Sequence, residues 1–81
     1  MTHITRARMN DEADYFENVA APRSAAAAAD GERVAADPTE SDYTRACAAR
    51  AAEIARENAA DYRHIAAELR AGEIPDCLDL S

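Results

Sequence analysis

Residues 37–72 read DPTESDYTRACAARAAEIARENAADYRHIAAELRAG, and this stretch decides the fold. Asp37 is a capping residue, Pro38 suits the first helical position, and Glu40 completes a capping-box spacing. No Gly or Pro follows Pro38 until Gly72, a C-terminal cap, with Pro75 a second stop shortly after. The spacing predicts a helix of about 34 residues, roughly 51 Å long. A compact chain of this size has a radius of gyration near 12 Å, so such a helix must pair along its length with something else.

Its pairing face is predicted from Tyr43, Cys47, Ala51, Ile54, Asn58, Tyr62, Ile65 and Leu69, which recur in an eleven-residue pattern. Eleven residues in three turns lies close to the natural period of a helix and favours a nearly straight pairing. Asn58 interrupts the stripe, either to fix register between chains or as a solvated edge position. Cys47, on the same stripe, reads most simply as a buried structural thiol.

Upstream, Asn10-Asp11-Glu12 makes a helix start, with Ala13, Phe16, Val19 and Ala20 on one face. Pro22 predicts a kink, the alanine run 25–29 stays helical, and Asp30-Gly31 reads as the breaker, with residues 31–37 as the turn. Two helices so joined form an antiparallel hairpin. The predicted fold is therefore all-α, a helical hairpin with one long C-terminal helix, completed into a bundle by dimerisation. Residues 1–9 form a flexible basic arm, 10–71 the hairpin, and 72–81 an acidic and apolar tail. Self-association is assigned to Tyr43, Cys47, Ile54, Asn58, Tyr62, Ile65 and Leu69.

Composition explains why dimerisation enters. Of the 81 residues 22 are alanine, whereas Leu, Ile, Val and Phe together number 10. Alanine is the best helix former but supplies little core, and a core this thin calls for a partner chain. No apolar run reaches a membrane span and no signal-peptide pattern opens the chain, so a cytoplasmic protein without membrane contact is expected. Cys47 and Cys77 form neither a C-x-x-C pair nor a zinc pattern and read as reduced thiols, Cys77 the more exposed and reactive.

The net charge of −7 is unevenly spread. Residues 10–17, NDEADYFE, carry four carboxylates, and Asp11, Glu12, Asp14 and Glu17 beside Tyr15 and Phe16 form the candidate partner-binding surface. Carboxylates supply long-range attraction to a basic protein and the aromatics an apolar anchor. The competing reading is helix-dipole stabilisation, above all for Asp11, Glu12, Asp37 and Glu40. On the long helix, Glu57, Asp61, His64 and Glu68 share a flank. They suggest half of a metal site, and a metalloprotein built across a dimer is a further alternative, but a solvated flank with a weak His64–Glu68 pair is the simpler reading. Arg45, Arg56, Arg63 and Arg70 form a basic ridge, read as pairing with a neighbouring chain or as solvated. Net acidity and the lack of lysine argue against direct nucleic-acid binding.

In the tail, Ile74, Leu78 and Leu80 either fold back over the last helical turns or dock into another protein. No catalytic residue, cofactor or metal is assigned, and no enzymatic activity is expected. The expected function is that of a small acidic protein-binding protein occupying a basic, nucleic-acid-binding surface of its target. Class-level analogy with phage and mobile-element inhibitors, anti-CRISPR proteins among them, suggests it. The alternative is a structural or regulatory helical subunit, adaptor or antitoxin-like, that binds through an apolar helix face.

Overall fold

The computed structural model describes residues 5–75. Three α-helices follow in order: α1, Arg6–Tyr15; α2, Ala21–Ala35; and α3, Asp42–Arg70; a π-helical turn, Phe16–Ala20, joins the first two. The first two helices and the π turn make one arm of an antiparallel hairpin and α3 makes the other. No strand occurs among the described residues. The hairpin measures 55 × 19 × 15 Å with a radius of gyration of 16.4 Å, well above the ~12 Å of a compact chain of this length.

The ends of the elements correct several expectations. α1 starts at Arg6, not Asn10, because Thr5 Oγ1 accepts the Arg8 N–H at 3.1 Å and caps the helix. Residues 5–9 are therefore no flexible arm: Met9 is buried in the core, while residues 1–4 lie outside the described part. Gly31 does not break α2, which runs on to Ala35. A Cβ at Gly31 would sit 2.9 Å from the Ala48 carbonyl oxygen and 3.0 Å from the Ala52 Cβ. The glycine is there for close approach of the two arms.

The long helix starts at Asp42, so it has 29 residues and spans about 44 Å. Its cap is Ser41, whose Oγ accepts the Thr44 N–H at 3.1 Å. Asp37 is engaged in the preceding turn: its Oδ1 accepts from the Thr39 N–H at 2.9 Å and the Thr39 hydroxyl at 2.7 Å. Those two bonds, the side-chain one first, hold the Asp37 carboxyl below its usual pKa. At the far end Gly72 ends α3 as expected, with φ +85°. Glu73 N–H reaches the Glu68 carbonyl at 2.9 Å and Gly72 N–H the Leu69 carbonyl at 3.0 Å, a Schellman closure.

Pro22 has its effect one turn early. Proline lacks an N–H and its ring crowds the carbonyl four residues back, here Asn18. The chain absorbs this in the π turn, where the Ala21 N–H bonds the Phe16 carbonyl, five residues back. One extra residue per turn brings the consecutive Ala20 and Ala21 both into burial.

Between the arms lies an alanine seam. On α3 the buried or half-buried positions include Ala48, Ala52, Ala55, Ala59, Tyr62, Ala66 and Leu69, alternating steps of four and three. This is a seven-residue repeat, where the larger apolar residues suggested eleven. Ala21, Ser24, Ala28, Gly31 and Ala35 answer it from α2. Larger side chains gather only at the open end, where Met9, Ala13, Ala66 and Leu69 form a small core with Phe16 and Ile65 against it.

Candidate functional site

The seam divides the hairpin into two unlike faces. On one, the basic ridge of α3 ties the arms together. Arg70 Nη2 donates to Asp14 Oδ1 at 2.8 Å and to Glu17 Oε2 at 2.5 Å, and its Nε to Glu17 Oε2 at 3.2 Å. Hydrogen bonding to Asp14 first and Glu17 second raises the Arg70 pKa above its ordinary value. Nearer the loop, Arg56 Nε donates to Glu32 Oε1 at 2.8 Å. Arg56 and Arg70 thus pair across the arms of their own chain, where a neighbouring chain or plain solvation was expected. Arg45 pairs with Asp42 on the same helix, and Arg63 makes no ion pair among the described residues.

The other face carries the larger apolar side chains of the loop half of α3, with Asn58 and Asp61 on the same line further along and Arg23 on the line of Val34. Glu32 and Val34 are two residues apart, hence about 200° apart round α2, and so are Arg56 and Ile54 on α3. Since Arg56 meets Glu32 on one side of the seam, Val34 and Ile54 lie together on the opposite side. Tyr43, Ile54 and Ile65 are spaced eleven apart and so fall on one line along α3. Their exposure runs from 80 % at Tyr43 through 43 % at Ile54 to half-buried at Ile65. Cys47 and Asn58 on the same stripe are also exposed, so Cys47 is not the buried structural thiol expected.

Of the residues assigned to self-association, Leu69 is wholly buried inside the hairpin, and Tyr62 is half-buried, its ring stacked on Phe16 at 5.7 Å and 27°. Tyr43, Cys47, Ile54, Asn58 and, in part, Ile65 keep surface of their own. The stripe therefore divides: its tail end closes the hairpin and its loop end stays uncovered.

The candidate partner-binding surface of α1 divides too. Asp14 and Glu17 are held by Arg70, and Phe16 is half-buried against the core. Asp11 is exposed, Glu12 half-buried, and Tyr15 is 50 % exposed with its ring edge-on to Phe16. The acids and aromatics that sequence reading grouped as one docking patch include three residues that hold the hairpin together.

His64 Nε2 lies 2.6 Å from Glu68 Oε1, and among the described residues no three of His, Cys, Asp or Glu come together as a metal-holding group. An open groove of about 750 Å³ runs beside this pair, floored by Tyr62, Ile65, Ile74 and Pro75. Pro75 is buried and Ile74 is 47 % exposed; Asp76 to Ser81, with Cys77, Leu78 and Leu80, lie outside the described residues. No helix of the described residues is long and apolar enough to cross a membrane. The chain matches no protein-family model, no curated protein and no solved structure.

Proposed function

We propose that this chain is a non-enzymatic protein-binding module that docks through the apolar face of its hairpin, the role of a helical adaptor or regulatory subunit. One observation carries the reading. Tyr43, Cys47 and Ile54 project from the loop half of α3, while the positions facing the other arm there are alanines. Large apolar side chains stabilise a fold when buried, about 1.5–3 kcal/mol each, and here they lie outside. Large apolar side chains left outside along one face are characteristic of a contact with other helices. Completion of a helical bundle, by homodimerisation among other routes, is the arrangement that such a face calls for.

A second reading is favoured by the charge. With a net charge of −7 and Asp11 and Tyr15 exposed on α1, an acidic inhibitor could occupy a basic, nucleic-acid-binding surface of its target. Affinity capture with the tagged chain from its native host separates the two. Contact through the apolar face survives high salt, fails in Ile54→Asp and persists in Asp11→Arg. Contact by charge fades with salt and fails in Asp11→Arg. Capture that is salt-sensitive and indifferent to Ile54→Asp would overturn the first reading in favour of the second.

A further inference from the structure

Building on the apolar-face reading, we infer that the occupant of this face is a second copy of the same chain, with α3 of each copy laid against α1 and α2 of the other. Shape gives the first argument. The hairpin is two helices wide and 55 Å long, and Leu69 is the one large side chain that it buries completely among the described residues. Two such hairpins joined by their apolar faces make a four-helix bundle, in which Tyr43, Cys47, Val34 and Ile54 become interior.

Charge complementarity gives the second. On α3, Asp61 on the line of Tyr43 and Ile54, and Glu57 at its margin, are exposed and make no ion pair among the described residues. On the other arm, Arg23 of α2 is exposed and equally without an ion pair among the described residues. By the 3.6-residue period Arg23 falls on the Val34 side of the seam, not on the Glu32 side. Along the hairpin it lies between the two braces, Glu32–Arg56 and Glu17–Arg70, as do Glu57 and Asp61. Arg23 of one arm and Glu57 and Asp61 of the other are thus at one level on the same face. A second copy related by a two-fold axis along the hairpin brings each Arg23 to the partner's Glu57 and Asp61, whereas α3 on α3 sets acid against acid.

Sedimentation equilibrium across the micromolar range tests this, with thiol labelling of Cys47 in a Cys77→Ser background. The expected result is a dimer in which Cys47 is protected, with protection lost on dilution. Ile54→Asp should weaken the dimer at least ~30-fold, the size of an interface hot spot. Arg23→Glu should weaken it, and adding Asp61→Arg to the same chain should restore it. A dimer that ignores Ile54→Asp, or one in which the swapped pair gives no rescue, overturns the arrangement. A monomer at every concentration overturns the second copy, and an apolar dye then decides the underlying reading. If the monomer binds anilinonaphthalene sulfonate and Ile54→Asp abolishes it, the face serves another protein; if it binds none, the apolar-face reading falls as well.

Discussion

Replacing Gly31 by alanine sets two opposed effects against each other at one position. Helix propensity favours the change, because glycine within a helix is about 1 kcal/mol worse than alanine. Packing opposes it. The added Cβ would stand 2.9 Å from the Ala48 carbonyl oxygen, 3.0 Å from the Ala52 Cβ and 3.3 Å from the Ala52 nitrogen. None of these atoms can swing aside, since two are backbone and the third is fixed to it. The arms must therefore part by several tenths of an ångström along a seam whose contacts are all short. Overpacking of this kind costs about 1–3 kcal/mol, which leaves a net loss of roughly 0–2 kcal/mol. Each kcal/mol lowers the melting midpoint by about 4–8 °C in a domain of this size. Thermal unfolding followed by far-UV circular dichroism, at one protein concentration throughout, measures it. Ala29→Gly, at an exposed position of the same helix, supplies the propensity scale and should lose about 1 kcal/mol. If Gly31→Ala instead stabilises the protein by the full propensity gain, the arms are not in close contact at Gly31 and the alanine seam is wrong.

Ser41→Ala should cost about 1 kcal/mol as loss of the α3 cap, and amide exchange should show the first turn of α3 fraying. A variant that leaves this turn protected would return the start of the helix to Asp37. The Asp37 carboxyl, held below its usual pKa by Thr39, contributes its stability above the ordinary carboxylate value and loses it as pH falls through the lower folded value. The acid limb of a stability-against-pH curve should accordingly flatten in Asp37→Asn, and an unchanged limb refutes that role. Arg70→Gln should destabilise the hairpin less at high salt than at low, because Asp14 and Glu17 lie at its partly exposed edge; a salt-independent effect would mean that packing, not charge, carries the brace.

The hairpin, its all-helical character and the stop at Gly72 were legible in the sequence because each rests on a strong local signal. The pairing face was not. Large apolar residues were read as the inward stripe, but α3 has alanine on every side, so the alanines at 48, 52, 55, 59 and 66 gave no contrast by which to find the seam. Two other signals held it: Gly31 inside an otherwise strong helix, and Arg56, Arg63 and Arg70 spaced seven apart, the period of a flank beside a heptad seam. The start of α3 was misplaced because two cap sequences, DPTE and SDYT, abut, and the first closes on itself through Thr39 before the second starts the helix. In the partner patch, Asp14 and Glu17 were unreadable as structural residues because Arg70 lies more than fifty residues away in sequence.

The placing of large and small residues is the reverse of what a solitary hairpin requires. A pair of helices that must stand alone gains most by setting Leu and Ile between the arms, where each displaces water from both sides, and by leaving alanine outside. Here Ala52, Ala59 and Ala66 are buried between the arms while Tyr43 and Ile54 face outward. Small seam residues bring the backbones of the two arms together, and the hairpin is only 19 × 15 Å in cross-section. Away from the Met9–Leu69 end the described residues bury only small side chains between the arms, and the outward residues become interior only when a second layer covers them. The same alanines that give the hairpin little core of its own leave its larger side chains outside, and the ion pairs of Arg56 and Arg70, all on the opposite face, hold the arms in register without occupying the surface on which the proposed second copy would sit.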